Sequence, residues 1–367
     1  MKKERFVEVI RVFATILVVL GHCTFFTIST AIPNMGCDYS TAIIDNSVTW
    51  KIANQIVRLI YVFHMPLFFA LSGFVYGICI QQGKYTNYRR TIINKFRNLV
   101  LPYCIITILY NIPVYLWAGY FGNESGNLIF YFLGFGENHL WFLIALFYCF
   151  LFAHYIHIYH SRHEIQINIV AGFLIWLISR KMPYQLQLFY IDRLLRYYIW
   201  FICGYLLFII RERSFVIGCF CLKFKNKDIH VRTIILKLVL LFSILILTIG
   251  WYKDVVPLGG TTLALLIILL IFVVLSDMDV TRVERISNRI WFTAIDKYSK
   301  YIFYYGVPVN YMIFGIIARR TKPLVLSNLD SFLFICLRFL AQVFLPIVIY
   351  TCVKYISGYL KHRKDIQ

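Results

Sequence analysis

The chain has 367 residues, of which 60% are hydrophobic and only 15% charged, with a mean hydropathy of +0.72. A soluble domain carries about a quarter of its residues as charges, so this composition excludes an ordinary water-soluble fold. The formal charge of +20 raises nucleic acid as a partner, but the cations sit between apolar blocks and not on an aromatic-interleaved polar face, so no nucleic acid is expected.

The apolar residues come in blocks of about 20, the length that crosses a hydrocarbon core of about 30 Å as helix. They predict an all-α, polytopic transmembrane helical bundle. In chain order the spans fall near 6–27, 53–80, 98–120, 139–159, 167–180, 189–210, 233–251, 259–276, 299–318 and 331–357. Ten spans put both termini on one side. With no internal repeat and no soluble-sized insert, residues 1–367 read as a single membrane domain. Residues 1–5 are too polar to open a cleaved signal, and no small-residue cleavage site follows, so the first apolar stretch is expected to remain as a span.

Basic residues crowd the N-terminus (Lys2, Lys3, Arg5) and the 81–97 loop (Lys84, Arg89, Arg90, Lys95, Arg97). They recur in the 211–232 loop (Arg211, Arg213, Lys223, Lys225, Lys227, Arg232), the 277–298 loop (Arg282, Arg285, Arg289, Lys297) and the tail (Lys361, Arg363, Lys364). The intervening loops hold few, which places both termini in the cytoplasm by the positive-inside rule. Arg319-Arg320-Thr321-Lys322 is an exception, falling outside. The expected location is a cell membrane, multi-pass, of the bacterial cytoplasmic type, with membrane lipids as immediate partners.

The ten cysteines fall mostly inside predicted spans without a CxxC pair, so neither a zinc site nor a disulfide framework is indicated. Cys219-x-Cys221 is a cytoplasmic pair with no metal partner in view, and a Cys23–Cys37 disulfide is conceivable on the outer side. His154, His157, His160 and His163 recur at every third position. With Glu164 the one carboxylate nearby they read as interfacial, and no metal is expected.

Ionisable groups inside a membrane are expensive and usually serve a pathway or a reaction. The first span carries Arg11 and His22; eleven residues at about 100° each make just over three turns, so both share one face, roughly 16 Å apart along the axis. Glu8 precedes Arg11 by three positions, within reach of an ion pair. The bland alternative is that Arg11 snorkels to the headgroups and His22 caps the helix. The second span carries His64-Met65-Pro66 at mid-membrane depth, followed by Ser72-Gly73. A kinked packing helix accounts for Pro66 and Gly73 better than for His64.

Five features together resemble the acyltransferase-3 family of integral membrane transacylases, or O-acetyltransferases. They are Arg11 and His22 at Arg-x10-His spacing, His64-Met-Pro-Leu-Phe-Phe with Ser72-Gly73-Phe74, and the basic stretch Arg89-Arg90 through Lys95-Phe96-Arg97 to Pro102-Tyr103. The others are His139-Leu140-Trp141-Phe142-Leu143 and Phe201-Ile-Cys-Gly204-Tyr205. The chain departs from the family where Ser299-Lys-Tyr-Ile-Phe-Tyr-Tyr305 is followed by Gly306, because members often carry a histidine after that stretch.

The resemblance implies transfer of an acyl group, usually acetyl, from cytoplasmic acyl-CoA to a hydroxyl of an extracytoplasmic or lipid-linked glycan. Acyl-CoA, in the simplest case acetyl-CoA, is then the donor substrate. His22 is expected to act as general base or transient acyl carrier, since imidazole can do either near neutral pH. Arg11 would orient the donor as a permanently charged hydrogen-bond donor, and His64 would share the acid–base work. Arg89, Arg90 and Arg97 are expected to meet the coenzyme A phosphates. His139, Trp141, Arg193 and Arg196 are candidates for the acceptor's binding site, with Arg58, Asn138, Asp192 and Arg338 also in the outer half. A transporter or flippase of a glycan or lipid precursor is the alternative, although the chain lacks the paired broken helices of such machines. A structural subunit is a third possibility, against which the costly intramembrane charges argue.

A reporter fused after residue 90 or 226 is expected to behave as cytoplasmic, and one fused near residue 40 or 126 as extracytoplasmic. Opposite behaviour at two of these sites overturns the topology.

Overall fold

In a computed structural model of the chain, the structure describes residues 5–30, 32, 34–122, 126–136, 138–181, 188–217, 227–253, 259–276, 278 and 280–364. Among these, the protein is 82% helical, with twelve helices and no barrel. Helices suit a bilayer because each satisfies its backbone groups within one segment. They are α1 (Arg5–Gly21), α2 (Val48–Gln81), α3 (Tyr88–Trp117), α4 (Gly126–Phe132), α5 (Trp141–Tyr159) and α6 (Glu164–Lys181). After them come α7 (Ile191–Ile217), α8 (Lys227–Tyr252), α9 (Gly259–Ser276), α10 (Val280–Ser287), α11 (Ile290–Ala318) and α12 (Asn328–Lys364).

Seven helices among the described residues are long and apolar enough to cross a membrane, and Gly259–Leu275 is a shorter apolar one. Along Ile234–Tyr252 only Leu240 is buried within protein, so lipid is the environment that matches the stretch.

Several boundaries differ from expectation, each for a local reason. The span expected at 98–120 begins ten residues earlier, because Asn87 caps α3 by accepting from the Arg90 N–H at 3.0 Å. Arg89, Arg90 and Arg97 therefore stand exposed on the first turns of a helix, not in a loop. The last span begins at Asn328, where Ser327 and Asp330 form a capping pair, the Ser327 hydroxyl donating to the Asp330 carboxylate at 2.6 Å. Short strands were not expected from the sequence. Thr27–Ser29 (β1) pairs antiparallel with Gly36–Asp38 (β2), and Ile43–Ile44 (β3) pairs parallel with Leu324–Val325 (β4). Cys219 and Cys221 lie outside the described residues, as do Lys2, Lys3, Lys223 and Lys225.

The chain divides into two compact units: Met1–Ala14 with Leu59–Leu101 and Phe142–Arg289, and Thr15–Arg58 with Pro102–Trp141 and Ile290–Gln367. In the first unit α6 packs along α7, and α8 along α9. There α2 and α7 cross in backbone contact at two glycines. A Cβ built on Gly73 would overlap the carbonyl oxygen of Phe201, and one on Gly204 would overlap that of Ala70. Only residues without side chains allow helices to meet so closely.

The first unit also holds a buried polar network. The Glu164 carboxylate accepts from the Tyr205 hydroxyl at 2.9 Å and meets His157 Nδ1 at 2.8 Å, while Asn168 accepts from Tyr198 at 2.7 Å. His154 is fully buried and stacks on Tyr88, which corrects the interfacial reading for that residue. His160 and His163 are exposed.

In the second unit α11 packs along α12. A core of Met35, Tyr115, Tyr120, Tyr131 and Tyr311 joins the β1–β2 hairpin to α3, α4 and α11. Arg319 lies over the Trp117 ring at 4.0 Å and donates to the Trp117 carbonyl at 3.2 Å. That cation, an exception to the charge pattern, thus caps the end of α3. Cys23 and Cys37 are both free thiols, so the conceivable disulfide is absent. Burial pushes the Cys37 thiol above its ordinary pKa, which disfavours its reactive thiolate.

The glycine crossing yields a direct test. Gly204→Leu is expected to cost about 1–3 kcal/mol or more, and to remove the folded, monodisperse peak in detergent size-exclusion chromatography. Gly172→Ala on α6, where an added Cβ would meet its nearest neighbour at 3.7 Å, should leave that peak intact. Normal behaviour of Gly204→Leu would refute the close crossing.

Candidate active site

Helix α1 runs unbroken from Arg5 to Gly21, and His22 follows it with its N–H still donating to the carbonyls of Val18 (3.2 Å) and Val19 (3.1 Å). Arg11, Thr15, Val18 and His22 recur at i, i+4, i+7 and i+11, one face of the helix. Arg11 and His22 are both half-buried. In the second unit, Thr15, Val18 and Val19 join Ile302, Phe303, Gly306 and Val307 of α11 and Gln342 of α12 around a narrow cavity. The gap has room for about one water molecule, and its lining is apolar apart from Thr15 and Gln342.

The chain just after α1 is held from α11 and α12. Arg338, fully buried, donates through Nη2 to the carbonyls of His22 (2.8 Å) and Phe25 (3.0 Å) and through Nε to Asn310 Oδ1 (2.8 Å). Asn310 donates in turn to the His22 carbonyl at 3.2 Å. The guanidinium carbon sits 4.6 Å from the Phe314 ring centroid and 5.2 Å from that of Phe25. One turn along α12, Gln342 donates to the Cys23 sulfur at 3.3 Å. The carbonyls beyond a helix C-terminus lack intrahelical partners, and here a cation supplies them.

Pro308 inside α11 and Pro346 inside α12 shape the same unit. Pro308 has no N–H, so the Tyr304 carbonyl four residues earlier loses its helical partner, and His139 Nε2 donates to it at 3.0 Å. Pro346 likewise frees the Gln342 carbonyl, and Gly306 lies opposite, where an added Cβ would be 3.0 Å from that oxygen. The departure from the family pattern at Gly306 thus coincides with a close approach of α12, which a larger side chain would have to push back.

Beside His139, the fully buried Asn138 donates to the Thr107 hydroxyl at 3.0 Å and accepts from Asn111 at 3.2 Å. Thr107–Asn111 is a π-helical turn of α3, a local widening frequent at functional sites.

The remaining expected residues are distributed as follows. His64 lies in the first unit, buried, donating from Nδ1 to the Ile60 carbonyl of its own helix at 2.9 Å, with Tyr61 edge-on at 4.9 Å. Arg193 and Arg196 stand on the first turns of α7, also in the first unit, and Arg193 pairs with Asp192 at 3.3 Å. Trp141 opens α5 and is half-buried. Arg58 is exposed and bonds Gln55 at 3.3 Å. The second unit thus gathers His22, Asn138, His139 and Arg338, together with Asn310 and Gln342, which the sequence reading passed over. The signal for those two was available as polar residues inside apolar spans that each contain a proline.

A family model described as an acyltransferase domain matches residues 4–303 of the chain. Nothing among curated proteins or solved structures matches it.

His139→Ala is expected to leave the Tyr304 carbonyl without its partner and to lower the stability of purified protein by about 1–3 kcal/mol, read as a lower Tm in detergent. Pro308→Ala restores an N–H to that carbonyl, so the double variant should recover part of the loss. If Pro308→Ala adds to the loss, the carbonyl is not what His139 serves.

Proposed function

This chain belongs to the acyltransferase-domain family and is an acyltransferase of membrane character, and on that premise we propose that it is a membrane O-acyltransferase. It moves an acyl group, acetyl in the simplest case, from cytoplasmic acyl-CoA to a hydroxyl of an extracytoplasmic or lipid-linked glycan. The proposed topology has ten spans and cytoplasmic termini, in a cell membrane of the bacterial cytoplasmic type, without metal.

One observation carries this reading. His22 stands at the end of the α1 face whose Thr15 and Val18 line the narrow cavity, with its backbone held by a buried arginine. An imidazole on a held backbone, half-open to its surroundings, suits proton transfer at a reacting hydroxyl.

In the proposed step, His22 takes the proton of the acceptor hydroxyl as its oxygen attacks the thioester carbonyl. The carbon–sulfur bond then breaks, the coenzyme A thiolate departs and is protonated, and the ester remains on the glycan. Should His22 carry the acyl group transiently, the same atoms move in two transfers. Arg11, about three turns nearer the cytoplasm on the same face, orients the donor with a charge that is never lost. The exposed Arg89, Arg90 and Arg97, at the start of a helix whose dipole also favours anions, meet the donor's phosphates. His64 supports acid–base work from α2, while His139, Trp141, Arg193 and Arg196 receive the acceptor.

His22→Gln keeps size and hydrogen-bonding capacity but cannot titrate. It is expected to lower transfer of label from acetyl-CoA into alkali-labile ester by about 10²–10⁴ at matched expression. Arg11→Ala should weaken acetyl-CoA binding to the purified protein. Near-normal turnover of His22→Gln overturns the catalytic assignment, and unchanged donor binding in Arg11→Ala overturns the donor role.

A further inference from the structure

Arg338 is fully buried among aromatic rings. Bringing a guanidinium into such surroundings is unfavourable unless hydrogen bonds satisfy it. The bonds it makes are specific to one short stretch of chain, residues 22 to 25.

The two carbonyls that Arg338 holds belong to His22 and Phe25. Those residues also form an edge-on ring pair, with centroids 5.7 Å apart and planes at 87°. One guanidinium therefore anchors the backbone of both partners in the contact that sets the attitude of the imidazole. Asn310 closes a triangle, accepting from Arg338 and donating to the His22 carbonyl. A lysine ammonium lacks the planar fork that reaches these acceptors together. The apolar alternative, that Arg338 only ties α12 to α11, accounts for the Asn310 bond but not for both bonds to the stretch after α1.

We infer that Arg338 is a positioning residue for acyl transfer, which, with Asn310, locks the backbone of His22 and Phe25 and so fixes the direction in which the His22 imidazole meets the reacting hydroxyl. The inference rests on the proposed role of His22.

The test uses the full chain in membrane vesicles, with labelled acetyl-CoA and alkali-labile ester as readout. Arg338→Gln and Arg338→Lys are each expected to lower maximal transfer by about 10- to 100-fold, with half-saturation in acetyl-CoA unchanged. Asn310→Asp, which still accepts from Arg338 but cannot donate to the His22 carbonyl, should lose activity in the same way. Because Arg338 acts through His22, adding Arg338→Gln to His22→Gln should lower the residual rate no further. Multiplying losses in the double variant, or full activity of Arg338→Gln, overturns the inference. So does failure of all three single variants to accumulate as folded protein, since the role would then be structural alone. If His22→Gln itself is active, it is the catalytic reading that fails.

Discussion

Hydrocarbon offers no hydrogen-bond partner, so every backbone carbonyl that a proline or a helix end releases inside this protein must be met by another of its own groups. Pro308 releases the Tyr304 carbonyl and His139 takes it up. Beyond the end of α1 lie the carbonyls of His22 and Phe25, and Arg338 takes up both. At these two places a backbone break is coupled to a polar side chain on a different element.

The same constraint explains how charges persist in so apolar a chain. Glu164 is buried with a tyrosine hydroxyl on one carboxylate oxygen and a histidine on the other. Arg338 divides its donors among two carbonyls and an amide oxygen while aromatic faces surround its plane. Removing one member of such a set strands the others, so each depends on its partners. At Gly73 and Gly204 the backbones themselves come into contact, so close crossing and satisfied polar groups act together.

For catalysis, this arrangement separates two tasks. The groups proposed to react or to bind substrate, His22 and Arg11, lie on one face of one helix, where spacing alone aligns them. The groups that hold His22 in place come from α11 and α12, far along the chain. A proton-transfer residue on a chain end free to move would lose much of the advantage of orientation, and the bonds from Arg338 and Asn310 remove that freedom.

Hydropathy and periodicity made much of this protein legible from its residues. Apolar blocks of spanning length predicted the helical membrane character, and the Arg11, Thr15, Val18, His22 face follows from helical geometry because it is a property of a single segment. The helix start at Tyr88 was missed because its charged first turn masks a helix from hydropathy, although Asn87 was a readable cap, and the start at Ile290 because Asp296, Lys297 and Lys300 interrupt the apolar run after its first turn. The strands β1 to β4 were missed because pairing between segments as distant as Ile43 and Leu324 leaves no local periodicity. Only the tertiary structure decided that His154 is buried and that His139 serves the Tyr304 carbonyl. It also decided that Arg338 and Asn310 converge on His22 from 316 and 288 residues away in sequence. Local pattern reports which side a residue faces, whereas hydrogen-bond partners across such separations depend on how helices pack, and packing is set by all of them at once.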